Sequence, residues 1–315
     1  MSQVRKAAKT AVDQCLGLSA DESCAIVTDA KRLPIGQELY DVACEITDDA
    51  VLVRYEPGVE HGAEPPAPAA GAMRDSDTFL APTSKSISHT RARSNATDAG
   101  SRGATLPGIT EEVFLAGLDA DYEQIAAECS RIATEVADAD EIRVTSAQGT
   151  DITFSVGHQS WRQDTGIVKE PGSFSNLPAG EVFISPESAT GTYVVDGTIR
   201  PHGLLGPDHR VTVTVEDGYA TEIDDEDVAA SFEQAAASVG QDAYNVAELG
   251  IGTNTAVTEL VGSVLLDEKA GGTVHIALGD DASIGGDTEA PIHADGVLRE
   301  PTVFVDGEEL TLPSA

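Results

Sequence analysis

The sequence predicts two folded parts of different class: an N-terminal α/β domain with a parallel sheet, residues 1–115, and a mixed α+β domain, residues 116–315. Three observations carry this expectation. The chain has 315 residues, and single cores stop growing well before that, so chains of this size divide into domains of roughly 100–200 residues. The first third alternates short apolar runs with helix-compatible segments, which is the pattern of parallel strands joined by crossover helices. Past residues 110–120 the style changes to alternating β-branched segments, the mark of antiparallel strands with one buried face.

Taken in order, Cys24–Asp29 (CAIVTD), Ala50–Tyr55 (AVLVRY) and Thr78–Ala81 are the strand-like runs of the first part, and Pro34–Ile46 carries helical spacing between the first two. Glu56–Ala72, rich in Pro, Gly and Ala, reads as a surface loop. Tyr122, Ile125, Ala126, Cys129, Ile132, Ala133 and Val136 recur on one helical face, so residues 120–137 are predicted to form an amphipathic helix. Glu141–Thr145, Asp151–Val156 (DITFSV) and Val211–Val215 (VTVTV) follow as strands. No internal repeat is present.

Composition narrows the function classes. The formal charge is −35, from 54 acidic and 19 basic residues, while 41% of residues are apolar, enough to build a core. Acids are scattered rather than gathered in a tail, and six of the basic residues are lysines. Such a surface suits a salt-adapted cell, where a short Debye length screens self-repulsion. No basic patch is available for phosphate, which excludes nucleic acid as an expected partner. No run reaches the ~18 apolar residues of a spanning helix and the N-terminus lacks a secretory pattern, so a cytoplasmic protein without a membrane partner is expected. Cys15, Cys24, Cys44 and Cys129 have no metal-binding spacing and read as small buried thiols.

Chemistry concentrates in the C-terminal half. His275 interrupts the apolar run Gly272–Gly279 (GTVHIALG); buried there, it is either a core histidine with a partner or a metal ligand. In Pro291–Val297 (PIHADGV), His293 and Asp295 are two residues apart and project from one face of an extended strand. Two imidazoles and a carboxylate suit Zn, Mn, Co or non-haem Fe(II). Glu181, just after Pro178-Ala179-Gly180 and before Val182-Phe183-Ile184, and Glu248, within AELGIG, are acids in apolar company that could complete the site. Glycines 279, 285, 286 and 296 would let the backbone turn around it.

Four ordered segments, NLPAGEVF (176–183), AELGIGTN (247–254), TVHIALGD (273–280) and HADGV (293–297), together resemble the signatures of the aminopeptidase T family of metallo-aminopeptidases, often termed leucyl aminopeptidases, in a short haloarchaeal-type form. SISHTR (86–91), ATLPGIT (104–110) and GTD (149–151) extend the resemblance over most of the chain. It implies an α/β domain followed by a catalytic domain with two divalent ions (Zn, Co or Mn), a homodimer, and ligand roles for Glu181, Glu248, His275, His293 and Asp295. The implied reaction is release of the N-terminal residue from a short peptide by a metal-activated water, with no protein nucleophile and no catalytic side chain assigned. One departure stands out: the family's tyrosine after the first histidine is replaced by Asp280-Asp281-Ala282-Ser283. The same architecture also resembles 2,5-dihydroxypyridine dioxygenases, in which His275, His293 and Asp295 would hold a single Fe(II). A catalytically silent family member is the third reading.

Overall fold

The computed structural model describes residues 2–314. They form an α/β plus α+β fold in two compact units: the residues up to Ala126 with Asp164–Ala179, and Ala127–Gln163 with the residues from Gly180 onward. The division falls inside the helix Tyr122–Val136. Its apolar stripe is buried at Tyr122, Ile125, Cys129, Ile132 and Val136, as the helical spacing predicts.

The first unit is organised on a five-stranded sheet in the order Ala50–Tyr55, Cys24–Asp29, Thr78–Thr83, Arg102–Pro107, Phe174–Asn176. All four pairings are parallel. Central strands of such a sheet are covered on both faces, and Cys24–Asp29 and Thr78–Thr83 are buried at every position. The helix Leu33–Ala43 crosses between the first two strands, starting with Pro34 in its first turn, where a missing N–H costs nothing.

The expected loop Glu56–Ala72 is corrected: its end belongs to the helix Ala67–Asp75, which starts after Pro66. Prolines there start a helix rather than break one, and Ala69 and Met73 pack it onto the core around Val27, Phe79 and Ala81. Cys15, Cys24 and Cys129 are buried thiols as expected, but Cys44 is exposed, because it caps the C-terminal end of Leu33–Ala43.

The second unit contains two sheets of seven strands. One runs Tyr219–Ile223, Val211–Glu216, Ser188–Val195, Asp151–Ser155, Glu141–Thr145, Thr302–Val305, Glu308–Leu310, with antiparallel pairings. Val211, Val213 and Val215 alternate buried with half-buried threonines, as a half-covered sheet requires. The other runs Gly203–Leu204, Thr198–Ile199, His293–Leu298, Val274–Gly279, Val246–Gly252, Glu181–Ile184, Arg162–Asp164. Its central strands Val246–Gly252 and Val274–Gly279 are buried throughout, and it carries the site.

Candidate metal centre

Strand register puts the five sequence-predicted residues on one face of this sheet. Glu181 lies opposite Gly252, His275 opposite Gly250, and Ala277 opposite both Glu248 and Asp295. Opposed residues share a face and so do residues two apart, so His293, opposite Gly279, joins them. Gly250 is what admits the imidazole: a Cβ there would sit 2.1 Å from Cε1 and Nε2 of His275.

The side-chain donors fall into two groups that share one residue. Glu181, Glu248 and His275 form the first, and Glu248, His293 and Asp295 the second. His275 Nε2 is 3.2 Å from Oε1 of Glu248 and 3.4 Å from Oε2 of Glu181. On the other side, His293 Nε2 is 3.4 Å from Oε2 of Glu248 and 3.4 Å from Oδ1 of Asp295. The two oxygens of Glu248 therefore face different imidazoles. His293 Nδ1 donates to the Asp280 carbonyl at 2.7 Å, which fixes its tautomer and leaves Nε2 toward the carboxylates, the usual outer support of a metal-binding histidine. Glu181, Glu248 and His275 are buried, and the Asp295 and His293 side chains are 11% and 33% exposed.

Two residues of the site escaped sequence reasoning. Lys269, only 4% exposed, donates from Nζ to Glu181 Oε1 at 2.7 Å and Glu268 Oε1 at 2.6 Å. The signal was in the sequence: Lys269 is the only lysine after Lys169. In a chain so acid-rich, the only basic residue between Arg210 and Arg299 is worth a role. Asp281, in the segment where the tyrosine is missing, is buried and accepts from Ser185 Oγ at 3.0 Å, Asn245 Nδ2 at 2.9 Å and the Thr288 amide at 2.7 Å. It anchors the connection between the two histidine strands. Of the glycines expected to turn this backbone, Gly279 and Gly285 have φ of 111° and 113°, whereas Gly296 lies within the strand His293–Leu298.

The electrostatics call for added positive charge. Burial pushes the Glu181 carboxyl up to about 8, against the pull of Lys269 and His275. Burial also opposes ionisation of Glu248, but hydrogen bonds from His275 and His293 outweigh it and hold that carboxyl at about 2. Burial alone would lower His275, yet the Glu248 hydrogen bond and the charges of Glu181 and Glu248 raise it to about 9. His293 is raised and Asp295 lowered, each against burial, by their mutual attraction. Glu181 Oε2 and His275 Nδ1 are buried without a hydrogen-bond partner. A buried carboxylate oxygen left unpaired is costly, and a cation at this position removes the cost. The donor set of oxygen and imidazole nitrogen without thiolate fits a divalent metal.

Fold and donor set together define a protein with a candidate divalent-metal centre on an antiparallel sheet, following a parallel-sheet α/β unit. Residues 35–313 match the NicX family, 2,5-dihydroxypyridine 5,6-dioxygenase, and the chain belongs to that family. Among solved structures, that of 2,5-dihydroxypyridine dioxygenase from Pseudomonas putida has a TM-score of 0.79 at 18% identity, covering 99% of this chain and 97% of that one. Wild-type AmpT from Thermus thermophilus has a TM-score of 0.68 at 17% identity, covering 98% and 99%. At these identities the two likenesses establish the fold. No curated protein sequence matches the chain. Among the described residues, no helix is long and apolar enough to cross a membrane.

Proposed function

We propose that this chain is a two-metal hydrolase of the aminopeptidase type, acting on short peptides. The observation that carries the reading is Glu248, whose carboxylate belongs to both donor groups. Glu181, Glu248 and His275 would hold one divalent ion, and Glu248, His293 and Asp295 the other. When bound, such ions polarise a carbonyl and make water nucleophilic near neutral pH. The chain's own residues prepare the place. Asp280 holds the His293 tautomer, Lys269 pins one oxygen of Glu181, and Gly250 leaves the volume that His275 fills. Carboxylates outnumber cations here, with Glu181, Glu248, Asp295 and Glu268 around Lys269. That excess is what two divalent ions would offset, so the charge of the set suits a dinuclear centre. A homodimer remains part of this reading through the resemblance to aminopeptidase T.

Membership of the dioxygenase family favours a second reading, in which His275, His293 and Asp295 hold one Fe(II) for ring cleavage. Against it, His275 falls in one donor group and His293 with Asp295 in the other, and a mononuclear site has little use for Glu181 and Glu248. Bound metal per chain decides between them, measured beside leucine release from a dipeptide and oxygen uptake with 2,5-dihydroxypyridine. In the hydrolase, Glu248→Gln removes the shared ligand, lowering occupancy of this centre from about two ions toward one or none and abolishing leucine release. One iron per chain with oxygen uptake, unchanged in occupancy by Glu248→Gln, overturns the proposal.

A further inference from the structure

Three donors that share no residue with the Glu248 centre converge elsewhere in the second unit: His202, His209 and Asp225. His202 follows the short strand Thr198–Ile199, and His209 lies just before the strand Val211–Glu216. Asp225 is the N-cap of the helix Glu226–Val239, its side chain accepting from the amides of Asp227 and Val228 at 3.1 and 3.0 Å. His202 Nε2 lies 2.9 Å from Oδ1 of this carboxylate, and His209 Nε2 3.1 Å from Oδ2. The rings meet edge to face with centroids 4.9 Å apart. The three side chains are 22%, 43% and 13% exposed, so the group is half-buried yet open to solvent.

Helix capping does not account for this arrangement. The two amides already complete the cap, and a cap has no need of two imidazoles from the 202–209 segment. Nor does simple ion pairing, since one carboxylate balances one imidazolium and here two of the chain's seven histidines turn the same ring nitrogen onto it. Two imidazole nitrogens and a carboxylate oxygen form a donor set for borderline transition metals, with positions left for water. The exposed Asp208, Asp224, Glu226 and Asp227 lie close in sequence and add negative potential. The nearby guanidinium of Arg210 is occupied: its Nη1 donates to the His209 carbonyl at 2.7 Å and the Gly206 carbonyl at 3.5 Å, and its Nε to Gln148 Oε1 at 3.3 Å.

We propose that His202, His209 and Asp225 form a second, separate metal site, which takes a borderline divalent cation such as Zn(II) or Ni(II) in preference to Mg(II) or Ca(II). The ion ties the 202–209 segment to the start of the helix Glu226–Val239. Its role is to hold the fold together, so hydrolytic or oxidative turnover does not depend on it.

The test is equilibrium dialysis of chelator-treated protein against Zn(II) in high salt, counting bound metal for the wild type, His202→Gln/His209→Gln and Glu248→Gln. Glutamine keeps an N–H able to reach Asp225 while discarding the metal-binding nitrogen. Zn(II) binding should fall by about one equivalent in the double variant, whatever Glu248→Gln does, and Glu248→Gln should retain that equivalent. Failure of the Glu248 centre and failure of this site therefore leave different signatures. Equal Zn(II) binding by the wild type and the folded double variant overturns the proposal. Should the double variant not fold, anomalous scattering at the zinc edge from wild-type crystals decides: a peak ligated by the three side chains supports the site, and no peak there overturns it.

Discussion

Gly250→Ala is the sharpest test of the geometry around His275. Local propensity argues that the change is harmless or helpful, since glycine inside a strand weakens it by roughly 0.5–1 kcal/mol relative to alanine. Tertiary packing argues the reverse. The added Cβ would lie 2.1 Å from Cε1 and Nε2 of His275, where an ordinary carbon contact needs about 3.5 Å, so the ring must retreat by roughly 1.4 Å. That retreat has nowhere cheap to go, because His275 is 1% exposed and packed within a fully buried strand. Overpacking of this kind costs about 1–3 kcal/mol. The same movement carries Nε2 away from Glu248 and Glu181, now 3.2 and 3.4 Å distant. Disturbing a ligand's support typically costs 10–100-fold in metal affinity, and we expect at least ~10-fold here. Thermal melting in high salt gives the stability change, and equilibrium dialysis against Zn(II) gives the affinity. An alanine variant that melts no lower than the wild type and binds metal equally would refute both the packing argument and the place of His275 in the centre.

Further expectations concern the charged surface and the acid limb of stability. In the first unit, the Glu22 carboxyl is lowered to about 2, chiefly by its hydrogen bonds from Arg102. Its folded pKa lies below the unfolded value, so the contribution is complete above pH 4.5 and is lost as pH falls toward 2. Glu22→Gln should lower the melting temperature at neutral pH and flatten the acid-induced loss in that window, and a titration parallel to the wild type would disprove the assignment. The charge of −35 leads us to expect melting temperatures that climb between about 0.2 and 2 M KCl as the screening length shrinks. A salt-indifferent transition would remove the argument for a salt-adapted surface.

The sequence by itself determined the fold class and most of the elements that carry the site. Strands buried on both faces are apolar runs, half-covered strands alternate, and an amphipathic helix repeats its stripe, so CAIVTD, VTVTV and the 122–136 helix were legible from local pattern alone. His293 and Asp295 could be placed on one face because strand geometry has a period of two residues. What lies beyond local pattern needed the tertiary structure. Residues 164–179 belong with the first unit because Phe174–Asn176 pairs in parallel with Arg102–Pro107, a contact between segments some seventy residues apart. The helix from Ala67 looked like a loop because proline and glycine mark both loops and helix starts, and only packing against the sheet tells them apart. Glu248 stands between two donor groups, Lys269 reaches Glu181, and Gly250 makes room for His275 because register across three strand pairings superimposes them. Register is a long-range property, set by which strands pair and how far each is shifted. No window of sequence contains it.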